Sequence, residues 1–352
     1  MQITEAQVRQ ALSGVAYPGF SRDIVSFGLV KGVAIEGADV TVKVSLATKD
    51  PKVPQQIYEQ AKAALAAIPG IGKAELDFDI KDAPAGGAAA GSPIKQSIPG
   101  VKRVIAVASG KGGVGKSTVA ANLAVALSAT GNRVGLCDCD LYGPSVSLLF
   151  GTTERPNATE ENAIIPVEAH GIRLMSMAFL LEDGSPVIVR GPMATRYTQQ
   201  FLRQVAWGEL DYLVLDLPPG TGDIQLTIVQ TVALAGAVIV TTPQEMALID
   251  ARKAASMFTK VNVPILGVVE NMSYFECPSD GVRYPIFGEG GGVREAARLG
   301  VPLLGQIPID VPTRERGDAG NPVALEREGS GNPVSDAFHQ IARSVAEAAR
   351  QV

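Results

Sequence analysis

Residues 104–118, with the sequence VIAVASGKGGVGKST, constrain the fold of this chain more than any other stretch. An apolar, β-branched run enters a glycine-rich loop, and an alanine-rich, helix-forming segment follows the loop. Gly110, Gly115, Lys116 and Ser117 match the pattern G-x-x-x-x-G-K-[ST]. The match is specific because the pattern lies between a predicted strand and a predicted helix. Backbone N–H groups of such a loop surround a polyphosphate, while the lysine adds a positive charge and the hydroxyl can bind Mg²⁺. The stretch therefore predicts a nucleotide site.

A second lysine, Lys111, stands inside the loop directly after Gly110. The pattern accepts any residue at this position, so Lys111 could be an ordinary solvated side chain. A second ammonium group directed at the phosphates is also compatible with the pattern. The loop alone leaves both interpretations open.

The composition and net charge of the chain argue against several classes of function and site. The 352 residues carry a net charge of −5, which argues against a basic nucleic-acid-binding surface. No apolar run approaches the roughly 18 residues needed to span a bilayer, and the first residues, MQITEAQVRQ, lack the pattern of a signal peptide. Three cysteines (Cys137, Cys139 and Cys277) and two histidines give no basis for a disulfide framework, a zinc site or a Ser-His-Asp triad. We expect a soluble cytoplasmic protein with neither nucleic acid nor membrane among its partners.

Three regions differ in pattern along the chain. Residues 1–82 predict a small α+β domain, in which Thr4 caps a first helix and residues 40–46 alternate between apolar and polar side chains, as in a half-buried strand. Residues 83–100, APAGGAAAGSPIKQSIPG, are rich in Pro, Gly, Ala and Ser and predict a flexible linker. Residues 101–352 then alternate strand-like and helical segments and are predicted to form the nucleotide-binding domain.

The second domain shows the alternation of a parallel sheet whose two faces are covered by helices. Seven apolar runs are predicted as strands: Val104–Ala108, Arg133–Cys137, Ile172–Met177, Tyr212–Leu215, Ala237–Thr241, Ile265–Val269 and Leu303–Gln306. Six segments are predicted as helices: Lys116–Ala129, Met193–Val205, Ile224–Leu234, Ala247–Phe258, Val293–Arg298 and Val334–Ala349. In such sheets ligands bind beyond the carboxyl ends of the strands, and the polar motifs of this chain follow those ends. The predicted fold class is α/β, a P-loop NTPase domain with a mostly parallel sheet, preceded by a small α+β domain.

Acidic residues follow two of the predicted strands. Asp138 and Asp140 lie at the end of the second strand, where a carboxylate can orient a water molecule or bind the hydration shell of Mg²⁺. Asp216 opens the motif DLPPGTGD directly after an apolar strand, the arrangement of a Walker B acid that reaches Mg²⁺ through water. Gly220 and Gly222 in this motif allow the backbone to respond to a γ-phosphate. A phosphate loop and a Walker B acid in one sheet indicate an NTPase.

The phosphate loop with Lys111 resembles the deviant Walker A motif of the MinD-like branch of P-loop ATPases. Together with it, further motifs resemble the Mrp/ApbC family of ATP-dependent iron–sulfur cluster carriers and scaffolds: DLYGPS (140–145), DLPPGTGD (216–223), TTPQEMALID (241–250), VENMSYFECP (269–278), FGEGGG (287–292) and IPID (307–310). This resemblance spans residues 102 to about 345. The N-terminal region, including DIVSFGLVKGV (23–33), resembles the small domain often fused ahead of that ATPase.

The resemblance implies a set of residues for ATP and Mg²⁺. The residues that would bind the phosphates are Gly110, Lys111, Gly112, Gly113, Val114, Gly115, Lys116, Ser117 and Thr118. Lys116 would neutralise charge on the β- and γ-phosphates, and Lys111 would reach the nucleotide of the second subunit in a homodimer. Asp140 would position the attacking water, and Ser117 and Asp216 would hold Mg²⁺. The implied catalytic residues are thus Lys111, Lys116, Asp140 and Asp216.

The resemblance also implies an adenine site. Asn271, just past the predicted strand end at Val269, would read the base, because an amide both donates and accepts hydrogen bonds. The backbone around Pro308 and Asp310 would complete the base pocket. A structural turn is the alternative role for Asn271.

One departure from the family pattern concerns the metal site. The family usually carries a C-x-x-C pair where this chain has CPSD (277–280). One pair from each subunit would supply the four thiolates of a bridging [4Fe–4S] cluster, which the protein would hand to apoproteins. Here Asp280 stands in the second position, and oxygen ligands suit such clusters less well than thiolates. Cys277 and Asp280 are the implied ligands, with an isolated loop thiol as the alternative for Cys277. Cys137 and Cys139 would be small apolar residues beside the site.

Three functions are compatible with these motifs. The leading hypothesis is a homodimeric ATPase that carries iron–sulfur clusters to apoprotein clients. A MinD- or ParA-like spatial regulator would need a membrane-targeting helix or a basic surface. The Ala-rich C-terminal segment, with Phe338, Ile341 and Val345 on one face, favours packing against the sheet instead. An adaptor in which ATP gates access to clients without any cluster is the third possibility, retained because of Asp280.

Overall fold

The computed structural model describes residues 3–15, 23–25, 29–47, 52–81, 95–159, 163–179 and 201–351. The chain divides into two units, Met1–Gly91 and Ser92–Val352, and each has its own hydrophobic core. The predicted domain boundary at residue 82 and most of the predicted linker lie outside the described residues.

The N-terminal unit is a three-stranded sheet packed against two helices. Its elements are α1 (Glu5–Leu12), β1 (Val30–Glu36), β2 (Asp39–Ala47), α2 (Lys52–Ala66) and β3 (Ala74–Lys81). β2 lies in the middle, antiparallel to β1 and parallel to β3. The predicted alternation is confirmed, because Val40, Val42 and Val44 are all buried in the core of this unit. Thr4 caps α1 as predicted, through reciprocal hydrogen bonds with Gln7.

The larger unit contains the elements of the predicted α/β domain. Its strands are β4 (Val101–Ser109), β5 (Val134–Asp138), β6 (Asn157–Ala158), β7 (Ile164–Ile165), β8 (Val167–Ala169), β9 (Ile172–Met175), β10 (Leu210–Asp216), β11 (Gly236–Thr241), β12 (Ile265–Glu276), β13 (Arg283–Tyr284) and β14 (Leu303–Ile309). The α-helices that lie wholly within the described ranges are α3 (Lys116–Ala129), α4 (Val146–Leu149), α5 (Asp223–Thr231), α6 (Glu245–Lys260), α7 (Gly291–Leu299), α8 (Val311–Asp318) and α9 (Pro333–Ala348). None of these helices combines the length and the apolar character needed to cross a bilayer.

Seven of these strands form the parallel centre of one sheet, in the order β9-β5-β10-β4-β11-β12-β14. They correspond to the seven runs that the sequence predicts, so the predicted fold class is confirmed. β8 and β13 add antiparallel edges. Because the seven central strands point the same way, their carboxyl ends meet at one edge of the sheet. The phosphate loop after β4 and Asp216 at the end of β10 are both brought to this edge.

Alternate residues of the central strands enter two apolar layers, one on each face of the sheet. Ile105 and Val107 of β4 enter the layer that contains α3 and α9. Ala106 and Ala108 enter the layer that contains residues of α5 and α6. α3 is apolar around its circumference, and every residue from Val119 to Leu127 is buried. The helix behind the phosphate loop is therefore the centre of one core layer.

The C-terminal helix α9 packs on the sheet, as predicted. Phe338, Ile341 and Val345 are buried in the same layer as α3. Asn332 caps the helix by accepting from the backbone N–H groups at its start. The apolar face that a membrane-targeting helix would present to lipid is thus inside the core.

Some predicted elements differ from the observed ones. β12 continues to Glu276 instead of ending at Val269, because its polar second half pairs with β14 and then with β13. α8 is a helix that the apolar pattern does not predict, since it buries none of its residues. In the predicted helix Met193–Val205, residues 201–204 are helical, and residues 193–200 lie outside the described ranges.

The last residues of the predicted linker are packed against the larger unit. The N–H group of Gln96 donates to the carbonyl of Thr231 at 2.8 Å, and its carbonyl accepts from Ala233 at 3.0 Å. Ile98 is buried in a core layer. Residues 95–100 therefore belong to the larger unit, because backbone pairing and apolar burial outweigh a linker-like composition.

Candidate nucleotide-binding site

The phosphate loop turns into α3 at Gly115. Gly115 is the N-cap of α3 and has φ +78°, in the left-handed region that favours glycine. A Cβ atom at this position would lie 2.1 Å from Nδ2 of Asn271. That amide nitrogen donates to the carbonyl of Val114 at 2.9 Å. The end of the loop is therefore held against β12, and position 115 has no room for a side chain.

Gly110 is required for a different reason. Its backbone passes so close to α6 that a Cβ atom would lie 2.0 Å from the carbonyl carbon of Asp250. The neighbour is main chain, which cannot rotate away as a side chain could. The hydroxyl of Ser109 donates to the carbonyl of Lys111 at 2.9 Å and fixes the first turn of the loop. The first glycine of the motif thus docks the loop onto a helix, a role that the motif alone does not reveal.

Lys116 and Asp216 form a buried ion pair between the phosphate loop and the end of β10. The Lys116 side chain is 7% exposed and that of Asp216 is 0% exposed. The ammonium group donates to Oδ1 of Asp216 and, at 3.2 Å, to the hydroxyl of Ser117. In the part of the chain that the structure describes, Oδ2 of Asp216 is buried without a hydrogen-bond partner. Because carboxylate and hydroxyl oxygens are preferred ligands of hydrated Mg²⁺, this donor set fits that ion.

The two aspartates at the end of β5 have different contacts. Asp138 is buried, and its carboxylate accepts from the backbone N–H groups of Ser145 and Val146 at 2.9 and 3.2 Å. Asp140 is half-buried, and its Oδ1 accepts from the backbone N–H group of Gly143 at 3.2 Å. Asp138 therefore anchors the loop that carries Asp140 and leads into α4. A charged residue at the end of an otherwise apolar strand is the sequence signal for this anchor.

The surroundings of Asp138 predict a pH dependence of stability. Burial and the charge of Asp216 raise the pKa of Asp138 to about 7. In the unfolded chain the pKa of the same carboxyl group is about 4, so the folded state binds the proton more tightly. Stability is therefore expected to fall as the pH rises from about 4 to about 7. Asp138→Asn removes this titration, and urea unfolding over that range should show a smaller decrease in the free energy of unfolding for the variant. Parallel pH profiles of the two proteins would contradict the expected shift.

A pocket of about 490 Å³ lies beside the phosphate loop. The predicted site residues that line it are Gly115, Thr118, Asn271, Pro308 and Asp310. It is also lined by residues without a predicted role of their own, among them Leu149, Met272, Phe287, Val311, Thr313, Arg314 and Phe338. The structure thus brings the three predicted base-pocket residues together next to the loop. A mostly apolar cavity of this size with a few polar groups suits a nucleoside.

Asn271 and Asp310, two residues that line this pocket, also belong to regular secondary structure: Asn271 lies in β12, and Asp310 is the N-cap of α8. Asn271 lies inside β12, not just past a strand end as predicted, because the strand continues beyond it. The next residue, Met272, has φ +54°, an uncommon conformation for a non-glycine residue. The Asp310 carboxylate caps α8, accepting from the N–H group and the hydroxyl of Thr313 at 2.8 and 2.5 Å. Oδ2 of Asp310 is therefore engaged by the helix, and the backbone carbonyl of Asp310 also accepts from the N–H group of Arg314 at 3.3 Å.

Lys111 lies in the loop with its side chain half-buried. Among the residues that the structure describes, its ammonium group has no hydrogen-bond or ion-pair partner. By contrast, Lys116 in the same loop is held by Asp216. The charge of Lys111 is therefore available to a phosphate or to an acidic group of another chain.

The cysteines at the end of β5 are core residues, as predicted. Cys137 and Cys139 are buried, with 3.9 Å between their sulfur atoms. The hydrogen bond to Cys137 and burial raise the pKa of Cys139, which keeps that thiol protonated. Within the described ranges, no group of three or more His, Cys, Asp or Glu side chains is arranged to hold a metal ion.

Cys277 lies at the turn between β12 and β13. Its sulfur is 3.0 Å from the hydroxyl of Ser279, and hydrogen bonds from that residue lower the pKa of Cys277, with a further contribution from the backbone of Asp280. The thiolate, which this environment favours, is the form that binds metal. The Asp280 carboxylate accepts from the N–H group of Val282 at 2.9 Å and from the hydroxyl of Tyr284 at 3.0 Å. Both oxygens of Asp280 thus help to hold the turn that presents the thiol.

Both units match models of known families. Residues 100–346 match the NUBPL iron-transfer P-loop NTPase, and residues 5–77 match the iron–sulfur cluster assembly protein. The chain is 47% identical over 338 residues to the iron–sulfur cluster carrier protein of Deinococcus radiodurans, a match that covers 96% of this chain and 93% of that protein.

Solved structures share the fold of the larger unit. A nucleotide-binding protein of Archaeoglobus fulgidus, in complex with ADP, is 43% identical with a TM-score of 0.58, over 64% of this chain and 90% of that one. The cell division ATPase MinD of Pyrococcus furiosus is 25% identical with a TM-score of 0.51, over 70% of this chain and 98% of that one. Because the family match covers residues 100–346, well over half of the chain, this protein belongs to the NUBPL iron-transfer P-loop NTPase family.

Proposed function

We propose that this protein is an ATP-dependent carrier that binds iron–sulfur clusters as cargo and delivers them to apoproteins. The observation that carries the proposal is that one segment joins the nucleotide pocket to an accessible thiol. Residues 273–292, named the hairpin segment, begin inside β12 two residues after Asn271. They carry Cys277 at the turn that follows the strand and line the pocket again at Phe287. The carrier protein of Deinococcus radiodurans, 47% identical to this chain, supports the same cargo.

The contacts of the buried ion pair support ATP hydrolysis as the activity. Lys116 would bind the β- and γ-phosphates within residues 110–118, and Asp140 would hold the attacking water. Ser117 and Asp216 would hold Mg²⁺, and the free Oδ2 of Asp216 supports this assignment. When bound, the ion supplies positive charge to the phosphate oxygens. The chain's own residues thus provide phosphate binding, water orientation and the ligands of the ion.

The pocket beside the loop is the proposed adenine site. Asn271 would read the base, and its contact with the phosphate loop through Val114 supports this role. Pro308 and the backbone of Asp310 would contact the base from β14 and the start of α8. The pocket's position supports this assignment, since it shares Gly115 and Thr118 with the loop.

Cys277 is the proposed cluster ligand, and Asp280 is assigned to holding its turn. Each chain presents one such thiol, because Cys137 and Cys139 are buried. In a homodimer, two Cys277 thiolates would contact one cluster, for which we propose the [4Fe–4S] type. All three cysteines are free thiols, which supports the cytoplasm as the compartment.

Anaerobic reconstitution tests the cargo directly. Wild-type protein incubated with iron and sulfide should retain both, show the visible absorption of a cluster and pass the cluster to an apoprotein. Cys277→Ala should lose almost all bound iron and sulfide, because the accessible thiolate is gone. Cys139→Ala is the matched control, since it removes a buried thiol and should leave the bound cluster unchanged. A wild-type protein that hydrolyses ATP but neither holds nor transfers a cluster would instead fit the ATP-gated adaptor.

The proposed homodimer assigns Lys111 to the nucleotide of the second subunit. Lys111→Ala should therefore lower ATP hydrolysis strongly while leaving the ATP affinity of each subunit largely intact. Asp140→Ala should also be inactive, because its attacking water is no longer held. Mixing the two inactive variants should restore part of the activity, since one site of each mixed dimer then has an intact Asp140 and receives Lys111 from the other subunit.

The mixing experiment separates the two possible geometries. If Lys111 serves its own subunit, neither site of a mixed dimer is complete, and the mixture stays inactive. Phosphate release measured across a series of mixing ratios distinguishes these results. Normal hydrolysis by Lys111→Ala alone would show that the lysine is an ordinary solvated side chain.

A further inference from the structure

The carboxylate of Glu270 has an unusual set of partners in the described part of the chain. Glu270 lies in β12, one residue before Asn271, and is fully buried. Its Oε1 accepts from the hydroxyl of Ser273 at 2.5 Å and from Nε2 of Gln306 at 2.7 Å. Its Oε2 accepts from the backbone N–H group of Gly292. One buried carboxylate therefore joins β12, β14 and the start of α7.

Two of these partners are the first and last residues of the hairpin segment. Ser273 begins the segment and Gly292 ends it, so the Glu270 carboxylate holds both ends at one point. The contact with Gly292 is close, since a Cβ atom there would lie 2.7 Å from Cβ of Glu270. Gln306 also donates to the hydroxyl of Ser273 at 3.0 Å, which completes a small network. The segment that carries Cys277 is thus closed at its base by buried hydrogen bonds.

The same segment contacts the nucleotide pocket at two places. Met272, directly before the segment, and Phe287 within it both line the pocket. Cys277 lies between these two positions in the chain. Because packed interiors transmit displacements and do not absorb them, a ligand that moves Met272 or Phe287 displaces a segment whose ends are fixed. We expect the displacement to be taken up at the turn, where the thiol lies.

We propose that Glu270 is a positioning residue that couples the nucleotide pocket to Cys277 by holding the two ends of the hairpin segment together. This inference rests on the proposed nucleotide site and on Cys277 as the cargo thiol. With the base of the segment closed, bound nucleotide changes the surroundings of Cys277. With the base opened, the ends of the segment move instead and the turn stays as it was.

Glu270→Gln weakens the hydrogen bonds at the base with almost no change in side-chain volume. An amide has one acceptor oxygen and one NH₂ group, whereas the carboxylate accepts with both oxygens. With its oxygen toward Gly292, the amide keeps all three partners only if the Gln306 amide turns over and the Ser273 hydroxyl accepts instead of donating. The hydrogen bonds that remain also lose the negative charge that strengthens them. Ser273→Ala is a milder second variant, because it frees one end of the segment and leaves the carboxylate and its bonds to Gln306 and Gly292 in place.

The test measures how fast iodoacetamide alkylates Cys277 in the cluster-free, full-length protein, with and without ADP. The rate is read by mass spectrometry of the peptide that contains Cys277, and ADP binding is measured separately by calorimetry. Bound ADP should change the wild-type rate by about fivefold, the lower end of typical coupling between sites. Glu270→Gln should bind ADP and show a clearly smaller change in rate than the wild type. Ser273→Ala should show a reduced response.

Glu328→Gln is the matched control, since it removes a carboxylate from an exposed ion pair with Arg343 and should keep the wild-type response. The proposal is wrong if wild-type protein binds ADP without any change at Cys277. It is equally wrong if ADP-bound Ser273→Ala and Glu270→Gln both keep the wild-type response. Failure of the wild-type protein to bind ADP would contradict the proposed nucleotide site itself. Thermal unfolding shows whether Glu270→Gln is folded, and if it is not, Ser273→Ala decides the outcome.

Discussion

Lys116→Ala is expected to abolish ATP hydrolysis, lowering kcat by about 100-fold or more, as the loss of a preorganised charge-stabilising donor does elsewhere. Lys116 is the buried ammonium group of the phosphate loop, and alanine leaves the phosphate charge unbalanced. The same change should destabilise the protein by about 3 kcal/mol, because Asp216 then stays buried without its cation. Phosphate release and urea unfolding measure the two effects.

A double variant separates these two consequences. Lys116→Ala combined with Asp216→Asn removes both charges, so no uncompensated ion is left in the interior. The double variant should regain much of the lost stability while hydrolysis stays absent. Near-normal turnover by Lys116→Ala would contradict the assignment of the nucleotide site. Equal stability of the single and double variants would contradict a role for the ion pair in folding.

Gly110→Ala is expected to be the most destabilising single methyl addition in the phosphate loop. The added Cβ would lie 2.0 Å from the carbonyl carbon of Asp250, so either the loop or α6 has to move. We expect a loss of about 3 kcal/mol, the upper part of the usual range for an extra methyl group in a packed interior. Urea unfolding of the nucleotide-free protein measures this loss. Weaker ADP binding should accompany it, because the loop is displaced from its docked position.

Gly112→Ala provides the matched control in the same loop. A Cβ atom at position 112 meets no other atom within 4 Å. The free energy of unfolding should therefore change by no more than about 0.5 kcal/mol, as is usual for exposed positions. If Gly110→Ala were as stable as Gly112→Ala, the docking of the loop onto α6 would be wrong.

The central sheet can be predicted because most of its strands contain a run of apolar residues, as expected for strands covered on both faces. The second half of β12 cannot be predicted in this way, since Asn271 and Ser273 interrupt the apolar pattern. Its pairing comes from β13 and β14, which lie further along the chain. α8 has no apolar face, so the apolar pattern does not predict it. Its local stabilising features are the N-cap Asp310 and a surface ion pair between Arg314 and Asp318.

In the candidate site, too, some residues can be predicted from short motifs, and others depend on contacts between distant parts of the chain. The phosphate loop and Asp216 belong to short motifs, so their residue types and spacing suffice to place them at the edge of the sheet. The roles of Gly110 and Glu270 depend on contacts with other elements. Gly110 packs against the backbone of Asp250 in α6, and Glu270 accepts from Gly292 in α7. The sequence shows only that a glycine or an acidic residue is present at these positions. The packing partner that explains each of them becomes visible only in the fold.

The buried helix α3 has a consequence for motion during an ATP cycle. Val119–Leu127 are buried, so their amide hydrogens should exchange with solvent only when the whole larger unit unfolds. α8, with no buried residue, should exchange through local opening. The second half of the phosphate loop therefore continues into the helix whose amide hydrogens should exchange most slowly in the unit. We therefore expect any rearrangement linked to hydrolysis to occur in the loops around it, such as the exposed turn that carries Cys277.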